Sequence, residues 1–187
     1  MSASRRHLLI AGTSGLAWPV SGLVSPVAAQ GDKPVRVVVG FAAGGGTDLI
    51  ARAIADKLRG RYAPTVIVEN RTGAGGSVAM EYMRTADADG SAVIFTPDST
   101  LVIYPHLYKS LNYDGLRDLT PIAHGLSTHP VIAAGPGLPE NVKTLAELVA
   151  WSKANPGRAS IAIPAIGSQP HLVALLLKRA SGVDFAV

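Results

Sequence analysis

The apolar positions of "VRVVV" (Val35–Val39) form a near-continuous run, broken only by Arg36. Such a run predicts a strand covered on both faces, as in a parallel sheet. From Leu49 the period changes. Ile50, Ala53, Ile54 and Leu58 recur on one helical face, and Gly60 stands where a helix stops. "TVIVEN" (65–70) reads as a second strand, "RTGAGGS" as a second glycine turn, residues 78–84 as a second helix and "SAVIFT" (91–96) as a third strand. Strands alternating with helices predict a parallel α/β sheet whose strand-end loops share one edge. Open sheets of this kind bind ligands at that edge.

Farther along, residues 97–121 mix tyrosines, prolines and polar turn residues, the pattern of a loop with short helical turns. Residues 121–135 hold two apolar runs and read as a passage toward a second unit. "TLAELVAWSKANPG" predicts a helix: Thr144 and Glu147 form a capping box, and Asn155, Pro156 and Gly157 end it. "ASIAIP" (159–164) reads as a strand, "HLVALLLKRASG" as a helix and "VDFAV" as the start of another strand. An apolar strand at the last residue, in a unit with too few strands to close a core, gives the expectation of a C-terminally truncated chain. The predicted organisation is a first α/β lobe over residues 30–125, then a crossover and a partial second α/β lobe over residues 126–187.

Composition is that of a globular chain, 48% hydrophobic and 16% charged in 187 residues. The formal charge of +4 is modest and includes Arg5 and Arg6, so no clustered basic face points to nucleic acid. The absence of cysteine excludes disulfides, thiolate metal sites and cysteine nucleophiles. Residues 1–29 have a basic start, an apolar Gly/Ala-rich middle and the small residues Val27, Ala28 and Ala29, the layout of a signal peptide cleaved after Ala29. "SRRHLL" also fits a loose twin-arginine motif, so Sec and twin-arginine export both stand. No later stretch is long and apolar enough to span a bilayer. The expectation from these features is an exported protein.

The glycine turn "GFAAGGGTDL" carries the chemistry. It mimics the frame of a phosphate-binding loop, but Gly46 occupies the lysine position and Asp48 follows, which opposes a polyphosphate. What remains is a set of backbone N–H groups at a helix N-terminus with the Thr47 hydroxyl, suited to a small carboxylate. Asp48 reads in two ways: as a first-turn acid favoured by the helix dipole, or as an acceptor for a ligand hydroxyl or amine. Comparable donor-rich turns follow the other strands. Ser99 and Thr100 lie after the third, and Gly167 and Ser168 open the helix of the second unit.

"RVVVGFAAGGGTDLIARAIADKL", "VIVENRTGAGGSVA", "YPHLYKSLNYDGLRDLTPIA" and "IGSQPHLVALLLKRASGVDF" occur in the order seen in the Bug-type periplasmic solute receptors, the substrate-binding components of tripartite tricarboxylate transporters. The chain resembles that family from about Lys33 to its last residue, with "VENRTGAGG" the most specific segment. The resemblance implies a two-lobe periplasmic-binding-protein-like fold of type II, closing on a carboxylate-bearing solute. It places ligand contacts on Phe41, Ala43, Gly44, Gly45, Gly46, Thr47 and Asp48, and in the facing lobe on Gly167, Ser168 and His171; Ser99 and Thr100 are candidate donors from the turn pattern alone. It implies membrane subunits of such a transporter as partners; a monomer that needs no cofactor is the further expectation. Ala42 and Ala43 stand where members commonly have prolines, which loosens the first loop.

Other constellations weigh less. His124 and His129 match no common metal-ligand spacing. Ser168 and His171 lie three apart as a nucleophile and base can, but without a nucleophile elbow, so Ser168 reads as a helix-start residue. Two rival readings remain at this stage: a secreted hydrolase-like α/β enzyme with its catalytic residues beyond Val187, and a non-functional receptor fragment.

Overall fold

The computed structural model describes residues 33–187; the signal-peptide reading of residues 1–29 lies outside them. Three parallel strands are ordered β2-β1-β3, with β1 (Val35–Val39) between β2 (Val66–Asn70) and β3 (Ala92–Ile94). The first connection, through α1 (Gly46–Leu58), leads to one side of β1, and the second, through α2 (Ser77–Thr85), crosses to the other. The chain order thus reverses between β1 and β3, the kind of switch point at which open α/β sheets bind ligands at their carboxyl edge.

Valine dominates β1 because both faces are covered. Val35, Val37 and Val39 pack with Ala51 and Ala55 of α1 and Val66 of β2, and Val38 is fully buried. The buried stripe of α1 is Asp48, Ala51 and Ala55. The sequence placed the stripe on Ile50, Ala53, Ile54 and Leu58, but Ala53 faces solvent, and Ile50, Ile54 and Leu58 are only half-buried. Small alanines let the helix approach the valine face, and the larger residues flank the contact. On the way into α2 the chain is equally close: a Cβ on Gly40 would lie 2.7 Å from the Cα of Gly76. That contact fixes the second glycine turn against the end of β1.

Beyond β3 come two one-turn helices, α3 (Ser99–Val102) and α4 (Tyr104–Leu107). Residues 120–135 are exposed and carry no regular hydrogen-bonded structure. Helix α5 (Leu145–Ala154) begins with both bonds of the Thr144–Glu147 capping box. Helix α6 (Gln169–Ser181) starts at Ser168 and ends at Gly182, in the left-handed region with φ 69°. The two strands expected at 159–164 and 183–187 form only one parallel bridge, Ser160 with Ala186. A two-stranded contact with no third strand is too weak to extend into a ladder. Among the described residues no helix is long and apolar enough to cross a membrane.

Candidate functional site

Helix α1 begins at the C-terminal end of β1, and its first turn sets the site. Gly46, Thr47 and Asp48 are its first three residues, so their N–H groups have no acceptor within the helix. The loop before them is exposed from Ala42 to Gly46. Two of its amides are used internally: Gly45 N–H donates to the Ala42 carbonyl at 3.3 Å, and Gly44 N–H to Asp48 Oδ2 at 2.8 Å. The amides of Ala43, Gly46 and Thr47 remain on the open side of the turn with the Thr47 hydroxyl, and that of Asp48 is buried beneath them.

Asp48 is 1% exposed and holds this loop in shape. Its carboxylate takes four hydrogen bonds: from Gly44 N–H, from Arg52 Nε (2.9 Å) and Nη2 (3.1 Å), and from Asn70 Nδ2 (2.9 Å). Asn70 Nδ2 also donates to the Phe41 carbonyl at 3.0 Å, so β2 ties both ends of the loop. The Arg52 guanidinium, then the Gly44 amide and Asn70, hold the Asp48 carboxyl well below its ordinary value. Of the two readings of Asp48, this geometry is the structural one: its acceptor capacity is spent within the chain. Its charge is also offset by Arg52, which removes the repulsion an incoming anion would otherwise meet.

The remaining candidates are brought together in part. The Phe41 ring and the Thr100 methyl both crowd Gly76, at 3.3 and 3.4 Å from where a Cβ would stand. Ser99 and Thr100 are buried, and the Thr100 hydroxyl is engaged with Thr96 Oγ1 and the Pro97 carbonyl. At α6, Ser168 Oγ donates to the Ala165 carbonyl at 2.7 Å and accepts from His171 N–H. Gly167 N–H donates to His171 Nδ1 at 3.0 Å, which places the proton of a neutral His171 on Nε2. With its proton committed to Ala165 and the ring to Gly167, the Ser168–His171 pair is not a nucleophile and base. Among the described residues no hydrogen bond joins residues 41–48 to residues 167–171. The two halves meet instead at Gly75, whose carbonyl accepts from Tyr104 Oη at 3.0 Å and whose Cβ position lies 3.3 Å from the Ala165 methyl. Tyr108 Oη extends the contact to the Ile166 carbonyl at 3.3 Å.

Sequence reasoning missed Arg52, Asn70, Tyr104 and Tyr108. Arg52 had a signal, since it lies four residues after Asp48 on one helix. Asn70 stands in the motif "VENRTGAGG" but declares no partner. The tyrosines reach residues 29 and 58 positions away, which no local pattern encodes.

A parallel sheet whose strands alternate with helices is the arrangement also found in solved periplasmic binding proteins. The chain belongs to the tripartite tricarboxylate transporter family receptors (TctC), whose sequence profile it matches over residues 50–187. It is 33% identical to Protein BugT of Bordetella pertussis over 171 residues, covering 91% of this chain and 50% of that protein. An R. palustris protein solved with adipate superposes with a TM-score of 0.69 at 31% identity, covering 82% of this chain and 50% of the other. The periplasmic binding protein BugD superposes with a TM-score of 0.63, also at 31% identity and the same coverage. The chain thus spans about half the length of the relatives it matches.

Proposed function

We propose that the protein is a non-enzymatic periplasmic receptor for a small carboxylate-bearing solute. The observation that carries this reading is the pair of unfilled amides on Gly46 and Thr47 over the buried Asp48, whose charge Arg52 offsets. A carboxylate there accepts several N–H bonds at the positive end of a 13-residue helix without bringing a second cation. The adipate in the R. palustris relative supports the ligand class. Phe41, Ala43, Gly44, Gly45 and Gly46 supply the loop surface, Thr47 a hydroxyl, and Ser99 and Thr100 the buried floor behind Gly76. Gly167, Ser168 and His171 form the facing turn, where His171 presents an Nε2–H donor. The lobes are residues 30–125 and 126–187, the protein works as a monomer, and it delivers its solute to membrane subunits of a tripartite tricarboxylate-type transporter. Export through the N-terminal signal accounts for the location.

Calorimetric titration with adipate, a monocarboxylate and a tricarboxylate tests the reading. Saturable one-to-one binding of at least one acid supports it; no heat from any of the three contradicts it.

A further inference from the structure

Tyr104 is the largest fully buried side chain among the described residues, yet it belongs to neither hydrophobic cluster. It rises from α4 between two glycine turns. Its hydroxyl donates to the Gly75 carbonyl at 3.0 Å, which gives the buried polar tip its partner. The same ring lies against Gly167, where a Cβ would stand 3.1 Å from Tyr104 Cε1 and 3.2 Å from Leu107 Cδ1. A Cβ on Gly75 would run into the Tyr104 hydroxyl itself. Gly75 and Gly167 both have positive φ, 63° and 80°, so the backbone of each turn can close on the ring.

Each turn is tied to one half of the candidate site. Gly76, next to Gly75, is crowded by the Phe41 ring and by Gly40, whose Cβ position lies 2.7 Å from the Gly76 Cα. Gly40 and Phe41 lead into the first turn of α1. Gly167 donates its N–H to His171 Nδ1 at 3.0 Å and precedes Ser168, the cap of α6. One path of contacts therefore runs from Phe41 through Gly76, Gly75 and Tyr104 to Gly167. Residues 41–48 and 167–171 share no direct hydrogen bond among the described residues, so their separation is set along this path. Tyr108 adds a longer tie, 3.3 Å to the Ile166 carbonyl, from a side chain that is 40% exposed. Its ring meets that of Tyr104 edge to face at 5.1 Å and limits the tilt of the buried ring. A tyrosine has few torsions and a polar tip, which suits it to act as a rigid spacer.

We propose that Tyr104 is a positioning residue that fixes the span between the α1 turn and the α6 turn, and with it how well one acid reaches both. The ligand part rests on the carboxylate reading; the span does not. The chain has no cysteine, so Lys57→Cys on α1 and Arg179→Cys on α6, both at exposed positions, carry spin labels whose separation is read by double electron–electron resonance without ligand. Tyr104→Phe keeps the ring and removes the bond to Gly75; Tyr104→Leu removes the ring as well. One narrow distance distribution is expected in the parent, a broader one with Tyr104→Phe and a displaced maximum with Tyr104→Leu, at unchanged helix content by circular dichroism. If Tyr104→Leu loses helix, Tyr104→Phe decides. In Tyr104→Phe the affinity for adipate relative to hexanoate, a chain of equal length with one carboxylate, is expected to fall about threefold or more. A distance distribution that Tyr104→Phe leaves unchanged, or an altered one with an unchanged adipate-to-hexanoate ratio, would overturn the proposal. A parent that binds neither acid overturns the carboxylate reading instead, and the distances still decide the span.

Discussion

Asn70 Nδ2, at the end of β2, donates to Asp48 Oδ1, in the first turn of α1, at 2.9 Å. Twenty-two residues separate them, and the bond fixes the outline of the turn between β1 and α1. The exposed amides are thus held by a buried network, so their geometry is set before any ligand arrives. Replacing Asn70 with Ala removes this bond and the one to the Phe41 carbonyl. The expected cost is about 1 to 3 kcal/mol of local order. Hydrogen exchange at the Gly44 amide reads it directly: exchange faster than in the parent protein is expected, and unchanged protection would show that the loop holds itself.

Arg52→Met leaves the Asp48 carboxylate beneath the unfilled amides without its cation. Adipate affinity is expected to fall by about tenfold or more, through like-charge repulsion. Titrations of parent and variant at two salt concentrations measure it. An affinity that survives intact would show that Arg52 has no part in neutralising the site.

The Asp48 carboxyl is held well below its ordinary value by Arg52, Gly44 and Asn70. A depressed folded-state value means that the interaction contributes fully above the unfolded value near ~3.9 and is lost as pH falls through the folded value. Asp89, held low first by Lys33 and then by Ser91, acts in the same direction. Asp48→Asn is expected to be less stable at neutral pH and to show a shallower acid slope between about pH 2 and 5. Chemical denaturation across that range checks both, and an unchanged slope would assign the acid transition to other carboxyls.

Gly40→Ala would drive a methyl group to 2.7 Å from the Gly76 Cα, a backbone atom that cannot rotate away. The second glycine turn must shift, at an expected cost of about 1 to 3 kcal/mol. Thr144→Ala, at the α5 cap, is expected to cost about 0.5 to 2 kcal/mol and to leave ligand affinity untouched. Denaturation and titration of the pair separate a turn that shapes the site from a cap that only stabilises.

The β-α-β-α-β order was legible because hydrophobic period and glycine punctuation both act locally. The capping box at Thr144 was legible for the same reason, since both bonds lie within four residues. The burial stripe of α1 was displaced because periodicity favours large side chains, whereas the contact with the β1 valines is made by Ala51 and Ala55. Asp48 was left with two readings because the choice depends on Asn70, which only the pairing of β1 with β2 brings near. The strand at 159–164 was over-read: its apolar residues are present, but a ladder also needs neighbours.

The central claim is that the first turn of α1 receives a carboxylate. Amide chemical shifts of the chain, followed during titration with adipate and in parallel with hexane-1,6-diol, test it most directly. Saturable shifts of Ala43, Gly46, Thr47 and Asp48 with adipate, and none with the diol, are predicted. Equal responses to both compounds, or shifts with adipate confined to residues outside this turn, would contradict it.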